Sequence, residues 1–337
     1  MHDEPLLNVS NLTVDLLTAK SAIRPVDGVS YTVRQGECLA IVGESGSGKT
    51  VMNFAPLGLM PTGVTTSLSG SVRFGGRELI GLPEQEVRKI RGKSIGFIFQ
   101  DPMSALNPVR RIGRQIAEMA ELHLDMTPRA AEARALELVK LVGISDPAAR
   151  LRQYPHELSG GLRQRIVIAT ALAGEPKLLI ADEPTTALDV TVQAQILRLL
   201  KDLQRRLNMA MVLITHDMGV VAGAADNIVV MYAARAAERG PVDKVLVKPR
   251  HPYTRGLINA IPKREDPIGS QFRGLPGIPP TLGAPFKGCA FAPRCDFAIP
   301  TCTASRPPWC LRRMVRFLSL VPSSMKEGQP HDTQTRS

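Results

Sequence analysis

The sequence predicts an α/β fold built around a parallel β-sheet, and three observations along the chain predict it. Up to about residue 100, alternating and β-branched segments favour strands. Residues 102–173 carry apolar positions at helical spacing, which favours helices. From residue 177 to 232, short apolar segments alternate with helical ones. Such alternation is typical of parallel strands joined by crossover helices.

The individual elements follow in chain order. Strands are predicted first, in LLNVSNLTVDLL, in VDGVSYTV and in ECLAIVG, an apolar run that ends in glycine and fits a buried strand. Two helices are predicted next, RRIGRQIAEMAELH and PRAAEARALELVKLVG; the second begins at Pro128 and ends at Gly143. The alternating strands and helices that follow are KLLIA, VTVQAQILRLLKDLQRRLN, MAMVLI, MGVVAGAA and NIVVMY.

The composition changes after Gly240. Residues 241–310 are rich in proline and glycine, which predicts a domain boundary near position 240. The final segment is polar, and we expect residues 311–337 to form a disordered tail. A chain of 337 residues is long enough for one large α/β domain with an appendage, or for two domains.

Net charge and hydropathy limit the binding partners and the cellular location expected of the protein. The 42 basic and 31 acidic residues give a net charge of +11, which suits nucleic acid, an anionic membrane face, a phosphate-rich ligand or an ordinary basic surface. No uncharged apolar run approaches the roughly 18–20 residues of a membrane span. The N-terminal segment carries acids where a signal peptide needs positive charge. We therefore expect a cytoplasmic chain that does not cross the bilayer.

A phosphate-binding loop is predicted in GESGSGKT, which follows the strand CLAIV and matches the pattern G-x-x-x-x-G-K-[ST] in full. Its glycines allow backbone N–H groups to surround phosphates, and the following helix N-terminus adds positive potential. Lys49 would contact the terminal phosphates and Thr50 would offer its hydroxyl to Mg²⁺. The residues predicted to bind nucleotide are Gly43, Glu44, Ser45, Gly46, Ser47, Gly48, Lys49 and Thr50.

Two acids follow a second buried strand in KLLIADEP. They would emerge at the carboxyl end of that strand, where ligands bind in such sheets. We predict that Asp182 binds Mg²⁺ through water and that Glu183 is the general base for the attacking water. His216, after the strand MAMVLI, is expected beside Glu183, where it could contact the γ-phosphate.

A second phosphate-binding helix end is predicted in LSGGLRQR, where Ser159 is a natural N-cap and Gly160 and Gly161 expose backbone N–H groups. One site does not easily use two such ends, whereas a head-to-tail pair of chains does. Each chain's LSGG segment would then close on the γ-phosphate held by the other chain's phosphate loop.

Together these motifs resemble the nucleotide-binding subunit of an ATP-binding cassette (ABC) transporter. In this resemblance Gln100 corresponds to the Q-loop, residues 186–189 with Asp189 to the D-loop, and His216 to the switch histidine. The resemblance also implies that Asp189 binds nucleotide, as do Ser159, Gly160 and Gly161. The resemblance implies a P-loop NTPase cassette over residues 1–240, with a mixed β-sheet core, an antiparallel β region and an inserted helical subdomain at about 101–175. It also implies that ATP and Mg²⁺ are used, that Gln100 is a Mg²⁺ ligand at the junction with that subdomain, and that Gln100, Glu183 and His216 are catalytic.

At a finer level the segments FIFQDPMSALNP, ALDVTVQAQIL, HPYTRGL and GCAFAPRC look like the oligopeptide/dipeptide importer ATPases, a group that also serves nickel uptake. This resemblance implies a second ABC subunit, two transmembrane permeases and a periplasmic solute-binding protein as partners, at the cytoplasmic face of the inner membrane. Peptides are the expected cargo, with nickel or another small solute as the alternative.

A nucleic-acid-associated ABC ATPase is the third hypothesis, suggested by the basic charge. Such chains insert long coiled coils or zinc modules between the phosphate loop and the LSGG segment. Here 110 positions separate Lys49 from Ser159, which fits a transporter subdomain, and we expect no nucleic-acid partner.

The chain departs from the family pattern at two positions. The family stacks adenine on an aromatic residue upstream of the phosphate loop, but the corresponding segment VDLLTAKSAIRPVD contains none, so Leu16 is the position considered for that contact. Ala234 stands where the family favours a turn glycine, which is expected to strain or reshape a hairpin.

Four cysteines lie near the C-terminus, at Cys289, Cys295, Cys302 and Cys310. A cytoplasmic setting disfavours a disulfide. The spacing is not that of a zinc ribbon, and an iron–sulfur cluster and plain packing thiols stay as alternatives. The resemblance implies an iron–sulfur carrier, although its fourth cysteine stands further from the third than Cys310 does here.

Overall fold

The computed structural model describes residues 4–17, 22–186, 188–261, 274–283 and 286–305. Its strands are β1 (Leu7–Leu17), β2 (Ala22–Val33), β3 (Cys38–Val42), β4 (Thr65–Phe74), β5 (Arg77–Glu78), β6 (Ile95–Ile98), β7 (Leu178–Asp182), β8 (Ala210–Thr215), β9 (Asn227–Tyr232) and β10 (Arg235–Pro241). Its helices are α1 (Lys49–Phe54), α2 (Glu84–Ile90), α3 (Pro102–Ala105), α4 (Ile112–Leu124), α5 (Pro128–Leu141), α6 (Pro147–Arg152), α7 (Gly160–Leu172), α8 (Val190–Arg206), α9 (Met218–Ala224), α10 (Val242–Val247), α11 (Pro252–Asn259) and α12 (Pro300–Ala304).

The main sheet has six strands in the order β10-β9-β3-β8-β7-β6. Neighbouring strands from β9 to β6 run parallel, and β10 pairs antiparallel with β9. All residues of β3, β7 and β8 are buried, as expected when both faces of a parallel sheet are covered. Because side chains alternate along a strand, Leu179 enters one core and Ile180 enters the other.

A second sheet, in the order β2-β1-β4-β5, is antiparallel throughout. Its inward side chains, among them Val14 and Val26, share one core with the side chains of β3 and β8 on the near face of the main sheet. The antiparallel β region and mixed sheet core expected from the family resemblance are therefore both present.

The helical layer on the other face includes α4, α5, α7 and α8. As predicted, α5 begins at Pro128, where the Thr127 side chain caps the helix by accepting a hydrogen bond from Ala130 N–H. The helix ends just before Gly143, whose φ of +71° suits a C-terminal glycine. The bounds of the subdomain at about 101–175 stay a prediction, as do the other domain limits.

The extension after β10 packs against the edge of the main sheet. Tyr253 in α11 and Phe291 share a core with Ala40 of β3 and Val230 of β9. Strand β10 runs through Gly240, so regular structure continues across the predicted boundary. The predicted tail at 311–337 lies outside the described residues. In the described part of the chain, no helix is long and apolar enough to cross a membrane.

Ala233 and Ala234 form the two-residue turn between β9 and β10, with φ of 44° and 70°. Positive φ at both central positions is the requirement of a type I′ hairpin turn, which favours Asn-Gly. A left-handed conformation costs an L-residue about 1–2 kcal/mol. The expected strain at Ala234 is therefore present, and the Ala234 N–H donates to the Ser47 carbonyl of the phosphate loop at 3.2 Å.

Replacement of Ala234 by glycine is expected to raise the free energy of unfolding by about 1 kcal/mol, since the turn loses its steric cost. Urea denaturation measures the change. The matched control is Ala236→Gly, in the neighbouring strand, which should lower stability by roughly 0.5–1 kcal/mol. Equal destabilisation by both glycines would contradict the presence of strain at Ala234.

Candidate active site

The phosphate loop connects the end of β3 at Val42 to the start of α1 at Lys49. Gly43 and Gly48 have φ of +157° and +98°, and a Cβ there would lie 2.1 Å from the Met231 carbonyl oxygen and 1.9 Å from the Pro25 carbonyl oxygen, respectively. Only glycine fits such contacts, so both positions are dictated by backbone packing. Backbone packing therefore fixes the loop conformation at both of its ends.

Lys49 lies inside this loop with only 5% of its surface exposed. Its ammonium donates to the carbonyl oxygens of Gly43 at 2.8 Å and Glu44 at 3.0 Å. Burial lowers the pKa of Lys49, while the carboxylates of Glu183, Asp182 and Glu44 act in the opposite direction. The cation is thus held where it can balance a bound anion.

Ser47 supplies an independent sign that the loop is built for a ligand. Among the described residues its buried Oγ has no hydrogen-bond partner. A buried hydroxyl without a partner carries a desolvation cost that a phosphate oxygen would relieve. The glycine cradle, Lys49 and Ser47 together fit a polyphosphate.

Thr50 and Asp182 form an oxygen-rich pair at the start of α1 and the end of β7. The Thr50 hydroxyl donates to the Asp182 carboxylate at 2.7 Å, and Asp182 is 4% exposed. Burial raises the pKa of Asp182, and the hydrogen bond from Thr50 opposes that rise. Hydroxyl and carboxylate oxygens are the ligands that Mg²⁺ prefers, so the donor set fits that ion.

Glu183 comes next in the chain, with φ of 45°, a conformation uncommon outside glycine that clusters at functional sites. Its carboxylate accepts hydrogen bonds from Gln100 Nε2 at 3.1 Å and Thr186 Oγ1 at 2.8 Å, and His216 Nδ1 lies 3.3 Å away. The predicted proximity of His216 to Glu183 is confirmed. It arises because β7 and β8 are parallel neighbours whose carboxyl ends meet.

Thr186 is a site residue that the sequence reasoning did not single out. It lies three positions after Glu183, and its hydroxyl orients that carboxylate. The signal was a hydroxyl close to the two acids within the segment DEPTT. The segment alone did not indicate that this hydroxyl faces the Glu183 carboxylate, because that orientation depends on the turn that follows β7.

The LSGG segment is placed on α7, as predicted, where Ser159 Oγ accepts from the Leu162 N–H at 3.4 Å. Among the described residues, no hydrogen bond joins this segment to the phosphate loop. A Cβ on Gly160 would lie 3.4 Å from Leu188, and one on Gly161 2.8 Å from Val192. The segment therefore packs beside Asp189, the N-cap of α8.

Leu16 is buried in β1, with 7% of its surface exposed, and pairs with Ile23 across the sheet. Its side chain belongs to the core between the two sheets. Little of its surface is thus available to an adenine ring, and the structure gives no support to the Leu16 contact considered above. Residues 18–21 of that segment lie outside the described residues.

The C-terminal extension reaches the phosphate loop, which the sequence did not predict. The Glu44 N–H donates to the Tyr253 hydroxyl at 3.0 Å, and Arg294 forms an ion pair with the Glu44 carboxylate at 2.9 Å. Both residues lie in the segments HPYTRGL and GCAFAPRC, which the sequence marked only as features of a subfamily.

The cysteines of the extension lie near one another, with the Cys289 N–H donating to the Cys302 carbonyl at 2.7 Å. Burial raises the pKa of the Cys289 and Cys295 thiols, which disfavours the thiolate that binds metal. Within the described ranges, no three His, Cys, Asp or Glu side chains are grouped to hold a metal ion. Cys310 lies outside those ranges, and the described thiols by themselves do not fit an iron–sulfur cluster.

Comparison with known proteins matches the ABC transporter family over residues 26–186 and the oligopeptide/dipeptide transporter C-terminal region over residues 237–302. The chain is 48% identical to an oligopeptide transport ATP-binding protein of Bacillus subtilis over 90% of this chain and 85% of that one. It is 47% identical to a dipeptide transport ATP-binding protein of the same organism, over 92% of each chain.

Among solved structures, a dimeric post-hydrolysis state of the ATP-binding cassette MJ0796 bound to ADP and Pi is similar, with a TM-score of 0.61 and 29% identity. That likeness covers 70% of this chain and 98% of the other. The fold, the motif order and these matches agree: the chain belongs to the ABC transporter ATP-binding family, in the group that carries the oligopeptide/dipeptide transporter C-terminal region.

Proposed function

We propose that the protein is the ATP-hydrolysing, energy-coupling subunit of an ABC importer whose cargo is peptides. The observation that carries the proposal is the meeting of Lys49, the Thr50–Asp182 pair and Glu183 at one edge of a parallel sheet. The C-terminal region shared with oligopeptide and dipeptide transport proteins supports peptides as the cargo.

Nucleotide binding would use the chain's own backbone first. The N–H groups of residues 43–50 and the N-terminus of α1 surround the phosphates, and Lys49 balances their charge. Thr50 Oγ1, the Asp182 carboxylate and the amide oxygen of Gln100 would hold Mg²⁺. Mg²⁺, when bound, neutralises the phosphate oxygens and orients them for in-line attack.

Glu183 would then activate the attacking water. Its carboxylate takes one proton as the water oxygen bonds to the γ-phosphorus and the bond to the leaving ADP oxygen breaks. Gln100, Thr186 and His216 contact that carboxylate and restrict its rotation, so its basic oxygen is positioned before nucleotide arrives. Positioning of this kind lowers the entropic part of the barrier.

A second cassette, identical or homologous, would complete each site. Within one chain the LSGG segment packs on Leu188 and Val192, and among the described residues no hydrogen bond joins it to the phosphate loop. Val190, beside Asp189 at the start of α8, is 81% exposed, which suits a surface that a partner covers. Head-to-tail pairing would bring Ser159, Gly160 and Gly161 to the partner's phosphates.

A permease would dock at the groove between β6 and α4. The groove has a volume of about 370 Å³ and is lined by Phe97, Phe99, Met119 and Leu122, among others. Phe99 directly precedes Gln100, so an occupant of the groove adjoins a residue that contacts Glu183. We propose a short cytoplasmic helix of each permease as the occupant of the groove. The protein would then lie at the cytoplasmic face of the inner membrane as a peripheral subunit. A periplasmic solute-binding protein would deliver the cargo.

The test is membrane recruitment followed by cargo-dependent hydrolysis. Co-expressed with two permeases, the protein is expected to pellet with membranes, and in proteoliposomes a peptide-loaded binding protein should stimulate ATP hydrolysis. Stimulation of ATP hydrolysis by nickel instead of peptide would contradict the proposal that peptides are the cargo. Pelleting of the protein with nucleic acid would contradict the importer function. Leu122→Glu should release the protein from membranes because it places a charge in the apolar groove. Leu207→Glu, at an exposed site outside the groove, is the matched control and should not.

A further inference from the structure

The extension after β10 carries an arginine to the phosphate loop. Arg294 lies in the short 3₁₀ turn Ala292–Arg294 and forms a bidentate ion pair with the Glu44 carboxylate. Nη1 donates to Oε2 at 2.9 Å, and Nη2 donates to Oε1 at 3.1 Å. Its side chain is 6% exposed and that of Glu44 24% exposed. A two-pronged arginine–carboxylate contact is geometrically specific, and it is stronger when partly buried.

The remaining donors of Arg294 are also used. Nε donates to the Pro276 carbonyl at 2.7 Å, Nη1 to the Tyr232 hydroxyl at 3.2 Å and Nη2 to the Leu275 carbonyl at 3.4 Å. The guanidinium carbon lies 5.8 Å from the centroid of the Tyr232 ring. The hydrogen bond to Glu44 is the largest contribution that raises the pKa of Arg294. The guanidinium is therefore a fixed, permanent charge.

The extension also holds the backbone of Glu44. The Tyr253 hydroxyl, on a fully buried side chain, accepts the Glu44 N–H at 3.0 Å. The Glu44 carbonyl in turn accepts from Lys49 Nζ at 3.0 Å. A continuous chain of contacts thus runs from the extension, through Glu44, to the lysine of the phosphate loop.

We propose that the docked C-terminal extension is part of the nucleotide site, and that Arg294 is a positioning residue that neutralises Glu44 and fixes the phosphate loop for polyphosphate binding. The inference rests on the proposed ATPase function. Its physical basis is charge: a carboxylate within a phosphate-binding loop repels the ligand unless a cation cancels it. Glu44 alone would oppose the charge of Lys49, whereas the Glu44–Arg294 pair is neutral.

A purely structural role for Arg294 makes a different prediction from charge balance. If Arg294 only held the extension in place, the second substitution at Glu44 would not restore the ATP affinity that the loss of Arg294 had reduced. If it cancels the Glu44 charge, removing both charges restores the binding site. The double variant E44Q/R294M therefore separates the two roles.

The experiment measures ATP, ADP and adenosine affinity of the full-length chain by titration calorimetry, with ATPase kinetics alongside. R294M is expected to weaken ATP binding roughly tenfold and ADP binding less, with adenosine unchanged, because repulsion grows with phosphate charge. KM should rise more than kcat falls. E44Q leaves the Arg294 cation without its carboxylate and should bind ATP more tightly than wild type. In E44Q/R294M the pair is neutral again, and ATP affinity should return to within about twofold of wild type.

R255M is the matched control, since exposed Arg255 lies in the same extension with its guanidinium 5.8 Å from the Phe297 ring centroid, and should leave ATP affinity unchanged. If thermal melting shows that R294M does not fold, the polar variant R294Q carries the same expectation. ATP affinity of R294M equal to that of wild type, or a double variant as weak as R294M, would overturn the inference. Loss of the difference between wild type and K49A would instead contradict the proposed ATPase function.

Discussion

Glu183→Gln is expected to abolish ATP turnover while leaving nucleotide binding intact. The amide keeps the size of the side chain but has no basic oxygen to take the proton of the attacking water. General-base catalysis contributes about 10²–10⁴-fold, so phosphate release should fall by at least about a hundredfold. Because hydrolysis would open the closed pair of cassettes, the variant should accumulate as an ATP-bound dimer in size-exclusion chromatography.

The control for this variant is Glu175→Gln, the same substitution at an exposed carboxylate paired with Arg134 at 3.1 Å. It should hydrolyse ATP at the wild-type rate and stay free of trapped dimer. Near-normal hydrolysis by Glu183→Gln would overturn the assignment of Glu183 as the base. The neighbouring contacts with Gln100 and His216 would then have to be reconsidered as the source of activation.

Lys49→Ala is expected to abolish measurable nucleotide binding. Lys49 is the buried cation of the loop, and without it the carboxylates of Glu183 and Asp182 leave the site negative. At an effective dielectric of about 20, one unit charge at 4 Å contributes roughly 4 kcal/mol, which corresponds to several hundredfold in affinity. Fluorescent-nucleotide titration measures the loss directly.

The fold should survive this substitution, because burial of the lysine charge is itself costly and alanine suits the start of α1. A thermal melt should therefore lie close to that of wild type. The control is Lys89→Ala, at a lysine whose side chain is 71% exposed and paired with Glu86, and it should bind ATP normally. Unchanged ATP affinity in Lys49→Ala would contradict the role of residues 43–50 as the phosphate-binding loop.

Much of the fold was predictable because its signals are local. The apolar runs of β3, β7, β8 and β9 are buried on both faces, so each reads as a strand without knowledge of its neighbours. Pro128 marked the first residue of helix α5 in the sequence. The parallel order of the strands then placed His216 near Glu183, because all their carboxyl ends lie at one edge of the sheet.

Contacts that close over long stretches of chain were not predictable. Arg294 and Glu44 are 250 positions apart, and nothing in either segment indicates the other. The burial of Leu16 likewise depends on the second sheet packing across the first. In both cases the deciding interaction is made by residues that only the folded chain brings together.

By itself, the sequence determined the family, the phosphate loop, the two acids at the end of β7 and the positions of most helices and strands. These follow from spacing and local apolar pattern, which operate over a few residues. Only the tertiary structure decided that the Thr186 hydroxyl donates to the Glu183 carboxylate. It also decided that the extension contacts Glu44, through the Tyr253 hydroxyl and the Arg294 guanidinium. The reason is physical: a hydrogen bond or an ion pair needs two groups within about 3 Å, and that proximity comes from packing of the whole chain rather than from any one segment.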